Sequence, residues 1–177
     1  MFANFCKIKN MKILFQIIVL SVILASCGSN QTITYTLKDV AFTAEGPLFE
    51  GPNTMQYELA NAINDTLKKA GFTKDQLEKV QLKSASFSTA DSVGFGAFNS
   101  IALQLTAQNS SMVNAAIINP IPVGAKNAEL TVSKEAELTD FFMQDKIFLV
   151  TDANLSKDQD ASAQFKANIV FELTVSK

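Results

Sequence analysis

Residues 164–177 read QFKANIVFELTVSK, and Phe165, Ala167, Ile169, Phe171, Leu173 and Val175 occupy every second position. That alternation puts all six on one face of an extended chain. A strand of this length belongs inside a sheet rather than frayed at a terminus. Shorter runs of the same kind recur outward from it. Ile33, Tyr35 and Leu37 alternate with polar residues, and the apolar phase then slips to Val40 and Phe42, predicting a bulge at Lys38–Asp39. Val80 and Leu82 begin a strand. Ile101, Leu103 and Leu105 form another, then Val113, Ala115 and Ile117, then Leu130 and Val132, then the apolar run Ile147–Val150. Asn119-Pro120-Ile121-Pro122 interrupts the pattern. Gly46-Pro47 and Gly51-Pro52 bracket an exposed loop whose Leu48 and Phe49 are expected to fold back onto the core.

About eight such segments separated by turn signals predict a mainly β fold, an antiparallel β-sandwich of immunoglobulin-like or jelly-roll-like type. One amphipathic helix is expected near residues 55–70. Met55, Leu59, Ile63 and Leu67 recur every four residues, and Gly71 stands where a helix ends. This stripe reads as core rather than as a cofactor box. Thr73 with Gln76 has capping-box spacing and opens one more turn, Lys74–Glu78. The hexapeptide ELTVSK occurs at Glu129–Lys134 and again at Glu172–Lys177. The surroundings do not align, so the two copies are read as similar half-buried strands, not as a duplicated domain.

At the other end of the chain, Lys7, Lys9 and Lys12 precede Ile13–Leu24, which is apolar except for Gln16 and Ser21. The run is shorter than the ~20 residues that cross a bilayer. It closes on Leu24-Ala25-Ser26-Cys27, which resembles the lipobox of bacterial lipoproteins, with Met1 or Met11 as the start. The resemblance implies cleavage between Ser26 and Cys27 and lipidation of the Cys27 sulfur. It also implies a signal peptide over residues 1–26, followed by the lipidated cysteine and a short tether over 27–32; the length that remains suits a single β-sandwich domain over 33–177. Surface-exported lipoproteins of Bacteroidota carry acids directly after the cysteine. Here Gly-Ser-Asn-Gln-Thr follows and the first acid is Asp39. The expected location is therefore the cell envelope, at the outer membrane and facing the periplasm.

Composition narrows the chemistry. Beyond Cys27 stand twelve lysines and seventeen acids, a net charge of −5, with no arginine in the chain. No basic stripe exists for phosphates, which argues against nucleic acid as a partner. The absence of histidine removes the commonest general base and zinc ligand, and no cofactor is expected. Cys27 has no second cysteine after it, so no disulfide is available to a processed chain.

Several local patterns remain. Asp152, Asn154, Ser156, Asp158 and Asp160 are spaced like a calcium loop, but Lys157 replaces its glycine and Ala163 its glutamate. Asp152, Asn154, Asp158 and Asp160 are the candidate metal ligands, set against a polar hairpin connection as the preferred reading. Glu135, Glu137, Asp140 and Asp145 cluster, yet they sit in an inter-strand loop with no tryptophan to stack a sugar. Gly94-Phe95-Gly96 lacks the third glycine of a nucleotide fingerprint. Phe95 and Phe98 would form an interaction patch if exposed. Asp65-Thr66-Leu67 and Asp91-Ser92-Val93 resemble a short O-glycosylation motif of Bacteroidota envelope proteins. These features predict no catalytic residue and no enzyme. Together with the lipobox they predict a membrane-anchored, non-catalytic binding or accessory module for another envelope component, with an envelope protein as the expected partner. The alternatives are a carrier or sensor of a small apolar ligand, walled by eleven phenylalanines after Cys27, and a carboxylate-only hydrolase.

Overall fold

A computed structural model describes residues 30–177 except 61, 92, 93 and 109. Among the described residues, nine strands make two sheets: β1 (Gln31–Ala44), β2 (Gly51–Ala60), β3 (Leu77–Ser88), β4 (Phe98–Ala107), β5 (Val113–Ile118), β6 (Asn127–Glu129), β7 (Thr131–Val132), β8 (Lys146–Leu155) and β9 (Ala163–Val175). One sheet has the order β1-β9-β3-β6 and the other β2-β8-β4-β5-β7, with every pairing antiparallel. The partners nest: β1 with β9, β2 with β8, β3 with β6 and β4 with β5. One long hairpin folded over itself in this way is a jelly roll. The immunoglobulin-like alternative is thereby set aside, because its first strand does not lie beside its last.

Strand β9 is the centre of the first sheet. Its inward residues alternate as the sequence predicts, and Ile169, Phe171, Leu173 and Val175 are completely buried. The expected bulge in β1 is present between Leu37 and Val40. Asp39 has φ +51° there, and its N–H donates to Asn168 Oδ1. Without that extra residue, Val40, Phe42 and Ala44 would point to solvent.

The expected helix over 55–70 is a correction. Residues 51–60 are strand β2, and only α1 (Asn64–Lys69) is helical. Spacing of four is two strand repeats as well as one helical turn, so Met55 and Leu59 share a face in either geometry. The arbiter is β8, which pairs with β2 from Gly51 to Ala60. The helix end was legible. Phe72 N–H donates to Leu67 O and Gly71 N–H to Lys68 O, a Schellman closure with Gly71 at φ +83°. A 3₁₀ turn, Lys74–Gln76, follows, where the Gln76 side chain accepts the Thr73 N–H at 3.0 Å.

A second difference lies in β5. Leu103 pairs with Ala116 and Gln104 with Asn114, leaving Ala115 as an extra residue. Ala115 and Ala116 are both buried, and Ile117, expected inside, turns out to solvent. The two ELTVSK copies also diverge. The second is the end of β9, whereas the first crosses between sheets at Leu130, leaving β6 in one and β7 in the other.

Connections gather at two ends. Gln31, Val175 and Leu77 share one end with the connections 61–76, 108–112 and 133–145 and with α2 (Thr139–Phe142). Loops 45–50, 89–97, 119–126 and 156–162 form the other. At the helix end, Phe142 lies 4.9 Å from Phe171 and 6.4 Å from Tyr35 between ring centroids. Among the described residues no helix is long and apolar enough to cross a membrane.

Thr151 faces inward on β8 between Met55 and Leu103, fully buried, with its hydroxyl unpartnered. Thr151→Val keeps the shape and removes the desolvation cost, so stability measured by urea unfolding should rise by about 1 kcal/mol. A loss instead would show that the hydroxyl has a role.

Burial, and secondarily the neighbouring Tyr57, raises the Tyr35 hydroxyl above its ordinary pKa of 10.0. The unfolded chain then ionises first. This contribution to stability is whole below pH 10.0 and lost as pH climbs through the higher folded value. Tyr35→Phe should flatten the alkaline fall in stability in urea titrations above that pH. An unchanged slope would contradict it.

Candidate functional site

The loop end carries an open cavity of about 290 Å³ between the β3–β4 and β8–β9 connections. Thr89, Asp91, Gln159, Ser162 and Gln164 supply its polar lining, and Phe98 lies beneath them. Two neighbouring loops hold these walls in place. On one side, Leu48 and Gln159 exchange backbone hydrogen bonds of 2.8 and 2.9 Å. The Gly46 N–H donates to Ser162 Oγ and the Glu50 N–H to Asp158 Oδ1. On the other side, Phe95 N–H donates to Ala125 O at 2.9 Å and Thr89 N–H to Lys126 O at 3.1 Å.

Both clamps depend on glycine. Gly94 has φ +68°, and a Cβ there would collide with the Ala125 carbonyl; a Cβ on Gly46 would collide with that of Asp160. The outer loops also expose apolar side chains. Phe49 is 65% exposed and Val123 fully so. Of the pair expected to fold back, Leu48 does so and Phe49 does not.

Phe95 and Phe98 do not form the exposed patch. Both are buried, with ring centroids 5.3 and 5.0 Å from Phe165, and they close this end of the core. Turn composition concealed this, because Gly94 and Gly96 look like a flexible loop whereas Phe95 is pinned by its backbone. The calcium-like ligands do not converge either. Asp152 and Asn154 point outward from β8, with Asp152 Oδ1 accepting from Thr54 Oγ1. Asp158 is engaged by the Glu50 N–H, and Asp160 lies exposed in the loop. Among the described residues no group of three or more acids, cysteines or histidines could hold a metal.

Glu135, Glu137, Asp140 and Asp145 are solvent-exposed. The phenylalanines that would wall a ligand cavity pack against one another between the sheets, as Phe42 does with Phe87 at 5.6 Å. Ser26 and Cys27 lie outside the described residues, as do Ser92 and Val93 of the glycosylation motif; Thr66 of the other copy lies in α1.

Comparisons with known proteins give only structural likenesses: no family model matches the chain, and no curated protein sequence matches it. A Desmodium yellow mottle tymovirus structure is similar at 15% identity and TM-score 0.33, covering 84% of this chain and 90% of its own. Infectious bursal disease virus Gt strain gives 15% identity and TM-score 0.41, over 85% of this chain and 34% of its own. A structure titled for carbohydrate-binding modules of the β-sandwich superfamily gives 10% identity and TM-score 0.33, over 80% and 56%.

The cavity residues escaped the sequence reading because Thr89 and Gln164 are far apart in the chain. Their one signal is that residues 88–91 and 158–164 are both rich in hydroxyl and carboxylate side chains, with amides at Gln159 and Gln164 as well. Such a lining offers hydrogen bonds from hydroxyl and amide groups beside one carboxylate, Asp91. Gly94→Ala should cost about 1–2 kcal/mol through its positive φ alone, before the collision is counted. Urea unfolding checks this, and a change near zero would mean that the clamp is not formed.

Proposed function

We propose that this chain is an envelope lipoprotein, anchored through Cys27 at the outer membrane and facing the periplasm. Its jelly roll acts as a non-catalytic binding module for another envelope protein. The observation that carries the reading is the ordered series ahead of the fold: lysines, an apolar run, then Leu24-Ala25-Ser26-Cys27 only four positions before β1 begins at Gln31. Those four steps reach at most about 14 Å. The end of the sandwich bearing Gln31 then lies against the bilayer. The opposite end, with its polar cavity and the exposed Phe49 and Val123, is left for a partner. Hydroxyl and amide groups with a single carboxylate, Asp91, flanked by apolar side chains suit a protein surface.

Growth with an alkyne fatty acid should label the full-length protein, and Cys27→Ala should abolish the label. An unlabelled wild-type protein would overturn the anchor. Gentle-detergent pull-down from native envelopes should return a stoichiometric protein that Phe49→Ser together with Val123→Ser releases. A protein recovered alone would overturn the binding role.

A further inference from the structure

The helix end of the sandwich exposes two methionines, Met112 at 51% and Met143 at 43%. They stand on different connections, 108–112 and 133–145, which the Gln144 side chain joins by donating to Ser110 Oγ at 2.7 Å. Met143 directly follows α2, whose Phe141 and Phe142 are buried in the core, so the methionine projects from the outer side of this cap. Phe142 meets Tyr35 of β1, which places the cap beside the strand that begins at Gln31. Lys74 Nζ also binds Gln144 O, tying the 3₁₀ turn into the same surface.

We infer that this end is a bilayer-contacting surface in which Met112 and Met143 enter the headgroup layer of the membrane that holds the anchor. The inference rests on the lipoprotein reading above. Its occupant follows from covalent reach: four residues after Cys27 cannot carry the Gln31 end more than about 14 Å from the interface. Unbranched thioether side chains adapt readily to an irregular apolar surround. Charge does not drive the contact. The connections 61–76 and 133–145 at this end carry four lysines against six acids, and the chain beyond Cys27 is net negative. The contact therefore fixes the domain's orientation and is not lost in high salt, which screens the repulsion between acids and anionic lipid.

The test uses full-length, lipidated protein in phosphatidylethanolamine–phosphatidylglycerol vesicles. Met112→Cys, Met143→Cys and Val123→Cys variants are each labelled with an environment-sensitive fluorophore; Cys27 is capped by its lipid, and Cys6 leaves with the signal. Nitroxide lipids should quench the labels at 112 and 143 about twofold more than the label at 123, as expected for side chains ~5–10 Å into the headgroup–acyl boundary. Quenching should persist in high salt. Equal quenching at all three positions on acylated protein would overturn the inference and leave the anchor intact. An amino-terminal peptide whose mass lacks acyl chains would overturn both.

Discussion

Strand β9 is hydrogen-bonded along both edges, to β1 on one side and β3 on the other. Its inward side chains form the floor on which the second sheet rests. Two of them reach beyond the sheet. Phe165 receives Phe95 and Phe98 at the loop end, while Phe171 receives Phe142 and stacks beside Tyr35 at the helix end. Six residues of extended chain separate these phenylalanines by roughly 20 Å. One strand thus fixes the thickness of the sandwich and the closure of both ends. Removing it would unpair two neighbours at once.

The two ends are closed by different means. The helix end uses bulk, with aromatic side chains of α2 inserted between the sheets. The loop end uses close backbone approach, made possible at Gly46 and Gly94, where any side chain would strike a carbonyl. A cavity survives at the loop end because backbone clamps hold the walls apart. At the helix end, side chains fill the corresponding space.

Legibility followed the range of the interaction. The face of β9, the bulge at Asp39, the closure at Gly71 and the Thr73–Gln76 turn are all set by residues within a few positions of one another, and all were readable. Residues 55–60 were not, since a repeat of four fits helix and strand alike and the decision belongs to β8, some ninety residues away. Ile117 turned outward because Ala115 is an extra residue against β4, a mismatch visible only when both strands are aligned. The candidate cavity is wholly non-local. It arises where two connections meet, and neither connection carries a motif.

The nested pairing has a consequence for the order of assembly. Gln31 lies opposite Val175, so among the described residues β1 finds its only sheet neighbour in β9. Non-local pairing of this kind is slow, because a long loop must close before any contact rewards it. A chain that emerges amino end first leaves β1 without its neighbour until β2 to β8 have appeared. Its composition suits the wait. Thr32, Thr34, Thr36 and Thr43 make the outward face hydroxylic, and the kink at Asp39 spoils the flat edge that a foreign strand would need. The bulge that sets the inward register of β1 also protects it from pairing with the wrong partner.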